Sequence, residues 1–349
     1  MLEDLKLQLS QNKARTKALE LQHRMYTFTG LPTEKIKSGD LYINDSEYIH
    51  YTEIDLTPKA KNNTLVLLHG YGGANVMFYR MVKHLAQEFH LVAIDLPGMA
   101  LSSRHDTTAV FKDTKSCLNY FVDRLDKFFD KAGLEKFHLA GHSIGSYLAT
   151  HYFDRNDAKV MKLIMLSPAG FNHIDEDHNA KIEERINNLP ILRRTWMRHV
   201  RNKIFNEKRS IIDLLWFPWK KYMIRKYFSN PRYNFSQEEL DTLIDYTYCI
   251  FSMPPSGDRC LGYLLEQSVK SPLPSINIIE KYRHRIADMV IMYGMNDYMD
   301  IETTCRELNT RNLSVRIDKI ENSDHQIINQ NAKQVSELIT KFITKTIEN

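Results

Sequence analysis

Short, continuously apolar segments, each followed by a helical pattern, constrain this chain more than any other feature. Thr64–Leu68 (TLVLL), His90–Asp95, Phe137–Ala140 and Lys162–Leu166 carry no alternating polar face. That pattern suits strands buried on both sides. Residues 75–88, 115–131 and 144–153 between them have helical spacing, with Phe121, Leu125 and Phe128 forming one stripe. Strand–helix alternation of this kind predicts an α/β fold, a mostly parallel sheet with helices on both faces. Ahead of it, residues 47–55 (EYIHYTEID) alternate as a half-buried strand. The alternation lapses over residues 172–275, which read as helical, charged and aromatic. It returns with a strand at Met289–Tyr293, a helix at 302–309, a strand at Leu313–Ile317 and a last helix at about 332–345. The expected organisation is an N-terminal helical extension (1–40), a core in two parts (41–171 and 276–349), and a helical cap (172–275) inserted between them.

Composition narrows the class. A chain of 349 residues with 43% hydrophobic and 26% charged residues is globular rather than disordered. A net charge of +4 does not mark a nucleic-acid binder. The four cysteines (117, 249, 260 and 305) lack metal or redox spacing and are expected as free thiols in a reducing compartment. No segment approaches the ~18 apolar residues that a bilayer span needs. The first residues carry Glu3 and Asp4 and form a polar helix with an interrupted leucine stripe, unlike a signal or transit peptide. The expectation is a cytoplasmic protein whose membrane or lipid-droplet contact is peripheral.

The chemistry centres on Gly141-His142-Ser143-Ile144-Gly145. A G-x-S-x-G string between a buried strand and a helix places the serine on a strained turn, with glycines where a Cβ would clash. A serine hydroxyl needs a base to become nucleophilic, and in this arrangement the partners follow in the order acid, then histidine. Of fourteen histidines, His325 lies after the last strand and before the last helix, on the sheet edge expected for Ser143. Asp297 directly follows the Met289–Tyr293 strand and is the favoured acid, with Asp300 and Asp324 as alternatives. Backbone N–H groups of Ile144 and Tyr71, the latter in the glycine-rich loop His69–Gly73, are the candidate oxyanion donors. There is no phosphate-cradling loop, metal-ligand cluster or dinucleotide fingerprint, so no cofactor or metal is expected.

The insertion concentrates positive charge. Between Pro190 and Arg232, twelve Lys or Arg face only Glu207 and Asp213, a larger surplus than the net charge of the whole chain. All three tryptophans (196, 216 and 219) fall in the same window. Trp and Tyr suit the headgroup level of a bilayer, and each basic residue near an anionic surface contributes ~1 kcal/mol. Trp216, Trp219, Lys220 and Lys221 are therefore candidate contacts for an anionic membrane surface. The alternative is that these aromatics pack the cap onto the core and the charges are simply solvated.

With these residues in place, the chain resembles the α/β-hydrolase-domain 4/5 subfamily, a group of lipid acyl hydrolases, lysophosphatidate acyltransferases and a lipid-droplet lipase coactivator. The resemblance runs from about residue 60 to 345. It rests on LLHGYGG (67–73), DLPGMALSSR (95–104), HLAGHSIGSYLATHY (138–152) and LIMLSPAGF (163–171). Most specific are YTYCIFSMPPSGD (246–258) and IMYGMNDYMD (291–300). It implies an α/β-hydrolase fold with a helical cap and acyl-lipid substrates. Three departures stand out. Ala100 replaces the second glycine of a Gly-x-Gly turn. Gln330 stands where acyl-transferring relatives have an acid in H-x4-D. Ser143 is present, and no Trp precedes residue 196, unlike the coactivator. The favoured expectation is a serine hydrolase of phospholipid or lysophospholipid acyl esters. A lysophosphatidate acyltransferase and a non-catalytic lipase regulator are the alternatives.

Overall fold

A computed structural model of the chain describes residues 2–56, 63–174, 176–214, 219–267 and 269–344. Its centre is an eight-stranded sheet: β1 (Ile36–Tyr42), β2 (Tyr48–Ile54), β3 (Thr64–Leu68), β4 (His90–Ile94), β5 (Phe137–His142), β6 (Val160–Leu166), β7 (Met289–Gly294) and β8 (Arg316–Ile320). The order across the sheet is β1-β2-β4-β3-β5-β6-β7-β8. The first two strands form an antiparallel hairpin, β2 meets β4 antiparallel, and every other pairing is parallel. β3, β4 and β5 are wholly buried, as their unbroken apolar text requires.

Period-two alternation divides each strand between two cores. Val66 and Leu68 face a cluster with Phe121, Phe128, Leu148 and Tyr152, supplied by α3 (Thr114–Lys131) and α4 (Ile144–Arg155). Leu65 and Leu67 face the other cluster, with Leu21 and Met25 of α1 (Leu2–Thr27), Val82 and Leu85 of α2 (Tyr79–Leu85), and residues of the C-terminal helix. Helix α3 begins with a capping box between Asp113 and Ser116, which satisfies N–H groups that have no partner inside the helix.

Between β6 and β7 lie α5 (Glu176–Asn187), α6 (Ile191–Arg201), α7 (Ile211–Leu214), α8 (Trp219–Phe228), α9 (Gln237–Ile250), α10 (Leu261–Leu264) and α11 (Ser275–Lys281). After β7 come α12 (Ile301–Thr310), α13 (Ile327–Gln330) and α14 (Ala332–Thr344). The inserted helices are fastened to the turn after β4. Gly257 N–H donates to the Gly98 carbonyl at 3.0 Å, and buried Arg104 pairs with buried Asp258 at 2.6 Å. Gly98, with φ +72°, sits so close that a Cβ there would lie 2.8 Å from Ser256 Oγ. The segments DLPG and PPSG thus form one contact.

The structure shifts two sequence expectations. The hairpin strand β1 was not expected, because its polar text, with Gly39 inside, is that of an edge strand with one neighbour. The last strand begins at Arg316 rather than Leu313. Leu313 and Val315 are buried but precede the ladder, which pairs Arg316 with Val290 through Ile320 with Gly294.

Candidate active site

The chain passes from β3 to β4 on one side of the sheet and then crosses to β5 on the other. This leaves a crevice at the carboxyl ends of β3 and β5, where open α/β sheets hold their ligands. Ser143 lies there, between β5 and α4, with φ 56° and ψ −117°, a conformation an L-residue adopts only under strain. Its neighbours make the turn possible. A Cβ on Gly141 would collide with the Gly145 carbonyl, and one on Gly145 with the Leu68 carbonyl and, at 2.5 Å, with that of His69. The glycine spacing of the pentapeptide is thus a steric requirement.

His325 follows β8 and is buried. Its Nε2 lies 2.9 Å from Ser143 Oγ, and its Nδ1 lies 3.2 Å from Asp297 Oδ1. Two backbone bonds tie the acid loop to the histidine loop: Met295 N–H to the Ile320 carbonyl at 3.0 Å and Asn296 N–H to that of Ser323 at 2.9 Å. The Asp297 side chain is fully buried. Burial pushes its carboxyl up, but the His325 hydrogen bond and charge, the Met299 N–H and the Ser167 hydroxyl outweigh it. The carboxyl is held below the usual carboxylate range.

The other two acids are engaged elsewhere. Asp300 caps α12, accepting from Thr303 N–H at 3.0 Å, and lies 3.5 Å from Lys270. Asp324 accepts from Gln326 N–H at 3.1 Å and pairs with Arg232 at 3.3 Å.

The loop after β3 touches the serine directly. A Cβ on Gly70 would fall 3.1 Å from Ser143 Cβ. Among the described residues, the N–H groups of Tyr71 and Ile144 have no protein acceptor. The Tyr71 hydroxyl reaches into the cap, donating to the Asp258 carbonyl at 2.7 Å and accepting from Ile211 N–H at 3.1 Å.

Two further residues take part that sequence reasoning did not single out. His142 was only the variable position of the pentapeptide, yet its Nε2 lies 2.8 Å from the His325 carbonyl. Burial, then the neighbouring His325, pushes its pKa down to about 3. It is therefore a neutral imidazole that carries its proton on Nε2 and steadies the histidine loop. Tyr298, inside the IMYGMNDYMD segment, places its ring 4.6 Å from that of His325 while remaining 66% exposed, so it forms part of the site's rim.

Of the membrane-contact candidates, Trp216 lies outside the described residues. Trp219 is 62% exposed. Lys220 donates to the Phe251 carbonyl at 2.6 Å, and Lys221 pairs with Asp245 at 2.5 Å, so both cations are engaged within the protein. No helix among the described residues is long and apolar enough to cross a membrane.

Known proteins agree with this architecture. Residues 63–209 match the family described by the α/β-hydrolase fold. A 1-acylglycerol-3-phosphate O-acyltransferase of Arabidopsis thaliana is 26% identical over 322 residues, covering 89% of this chain and 73% of that one. A (lyso)-N-acylphosphatidylethanolamine lipase of Mus musculus is 25% identical over 277 residues, covering 78% and 77%. A carboxylesterase of Bacillus subtilis superposes with a TM-score of 0.62 at 14% identity over 96% of this chain and 100% of the other, a likeness of fold. The chain has the α/β-hydrolase fold, and the relatives it matches are named as a lysophosphatidate acyltransferase and a lipid lipase, in line with the subfamily that its motifs resemble.

Proposed function

We propose that this protein is a serine hydrolase that cleaves acyl esters of phospholipids or lysophospholipids. The observation that carries the reading is the line from Ser143 Oγ through His325 to the buried Asp297, at 2.9 and 3.2 Å. In this reading His325 Nε2 takes the serine proton as Oγ attacks the acyl carbonyl. Asp297 fixes the imidazole with its other proton on Nδ1 and stabilises the imidazolium. The oxyanion lies between the Tyr71 and Ile144 N–H groups, each such donor contributing ~10²–10³ in rate. His325 then protonates the departing glycerol oxygen, leaving an acyl-serine. Water, deprotonated by the same histidine, releases the fatty acid.

The lipid part of the proposal draws support from the relatives' names and from the cap. On α6, Ile191, Leu192 and Trp196 are 68%, 84% and 51% exposed, beside Arg193 and Arg194, while Arg198 and Arg201 each pair with Glu183 at 3.6 Å. Exposed apolar side chains beside arginines suit peripheral contact with an anionic bilayer. With Lys220 and Lys221 engaged internally, the membrane-facing element of this reading is α6 together with Trp219.

Acyl transfer is the second reading, favoured by the name of the Arabidopsis relative. It needs a lysophospholipid hydroxyl in place of water. Gln330 supplies no carboxylate five residues after His325; its side-chain oxygen accepts from Asp324 N–H at 2.7 Å. Incubation with lysophospholipid, with and without an acyl acceptor, separates the two. Free fatty acid as the sole product supports hydrolysis. A diacyl product supports transfer. No turnover of any ester points to a non-catalytic regulator.

A further inference from the structure

A cavity of about 290 Å3 opens between the cap and the core, lined by Lys208, Arg209 and Arg259 along with Glu207, Asp213 and Tyr263. Tyr71 links the loop beside the nucleophile to the segments that carry this cavity's arginines. Its backbone adjoins Gly70, which packs on Ser143, and its hydroxyl contacts Asp258 and Ile211. Each of these cap residues stands within two positions of a cavity-lining arginine.

The lining has unspent donors. Arg259 Nε is buried, and among the described residues no acceptor meets it; the carboxylate of Asp106 is 4.0 Å from its Nη1. Buried N–H groups nearly always find a partner, so an orphan on a cavity-lining arginine marks a place for an acceptor. Lys208 uses one proton on the Gly262 carbonyl, at 2.6 Å, and retains others. The Arg209 side chain is 56% exposed. Of the opposing carboxylates, Glu207 is paired with Lys203 at 2.8 Å and lies 3.7 Å from Arg209 Nε, so one anion is shared between two cations. Asp213 is exposed at the rim.

We propose that this cavity binds a phosphate group, with Arg259 as the inner donor and Arg209 and Lys208 closing around it. A guanidinium presents parallel N–H donors that match two phosphate oxygens. The inference rests on the proposed acyl-ester chemistry, since the phosphate it seats is that of the lipid whose acyl carbonyl meets Ser143.

The test compares the intact protein with Arg259→Gln, Arg259→Lys and Arg209→Gln on a monoacylglycerol phosphate and on the matching monoacylglycerol. These two lipids differ only in the phosphate. Removing a charged donor to a phosphate is expected to lower the preference for the phosphorylated lipid about tenfold or more, mainly through KM. Arg259→Lys is expected to recover part of the loss. Inorganic phosphate is expected to compete with the phosphorylated lipid and not with the neutral one. If it instead alters turnover of the neutral lipid without competing with the phosphorylated one, the cavity binds free phosphate as an effector and the headgroup assignment is overturned. An unchanged preference in both glutamine variants, with melting temperatures at the level of the intact protein, would overturn the cavity's role. A p-nitrophenyl ester separates this from the function itself. If the ester is turned over and the turnover is lost in Ser143→Ala, the hydrolase stands whatever the cavity does. Without turnover of any ester, calorimetric titration with inorganic phosphate still decides whether Arg259 binds it.

Discussion

His142 donates its Nε2 proton to the main-chain carbonyl of His325 at 2.8 Å, so the residue before the candidate nucleophile holds the loop that carries the candidate base. The burial of His142 has a thermodynamic consequence. An imidazole with a pKa of 6.5 in the unfolded chain and about 3 in the fold leaves the unfolded state with more bound protons between those values. Stability then rises with pH across that window and is lost as pH falls below 6.5. His142→Gln keeps a donor and cannot titrate. Chemical denaturation at stepped pH is expected to show the acid slope flattened by up to ~1.4 kcal/mol per pH unit. An unchanged slope would mean that His142 is not buried neutral.

The carboxylates after β7 have separate tasks. Asp297→Asn removes the anion that faces His325 and is expected to lower kcat on the order of 10⁴-fold with little change in fold. Asp300→Ala removes the cap of α12 and the carboxylate beside the buried Lys270, and is expected to cost about 3 kcal/mol or more of stability and less than tenfold in kcat. Ester turnover and thermal melting of the two variants decide this. The reverse ranking of kcat would reassign the acid.

Ala100 has φ 45° at the position where the resembled subfamily has glycine. A Cβ in this left-handed region costs about 1–2 kcal/mol. Ala100→Gly is therefore expected to raise stability by ~1 kcal/mol, read as a higher urea midpoint at constant m-value. A lower midpoint would show that packing of the buried Ala100 methyl outweighs the strain.

Replacing Ile191, Leu192 and Trp196 with serine is expected to weaken sedimentation with phosphatidylserine-containing vesicles by tenfold or more. Turnover of a soluble short-chain ester should stay within twofold of the intact protein. Each exposed apolar side chain that enters the interface contributes about 1–2 kcal/mol, so the triple change exceeds the resolution of the assay. Equal vesicle binding would remove α6 from the membrane reading.

Much of this was legible in the sequence because burial writes itself plainly there. β3, β4 and β5 are covered on both faces and read as unbroken apolar runs, and Gly141 and Gly145 are fixed by main-chain approach. Edge elements left weaker traces. β1 has one neighbour and a polar text, and β8 starts after the apolar Leu313 and Val315 that precede it. In the site, order along the chain singled out Ser143 and His325 and narrowed the acid to neighbours of β7. What separates Asp297 from Asp300 is which carboxylate turns toward the histidine and which caps a helix, and sequence spacing does not hold that information. The contributions of His142 and Arg104 were equally hidden, since each depends on a partner more than a hundred residues away.

The central claim is that Ser143 is a nucleophile activated by His325. The direct test treats the folded protein with a fluorophosphonate probe and maps the adduct by peptide mass spectrometry. Labelling is expected on Ser143, abolished in Ser143→Ala and slowed at least a hundredfold in His325→Ala. A folded protein that takes up no probe, or takes it up equally without the imidazole, would contradict the account.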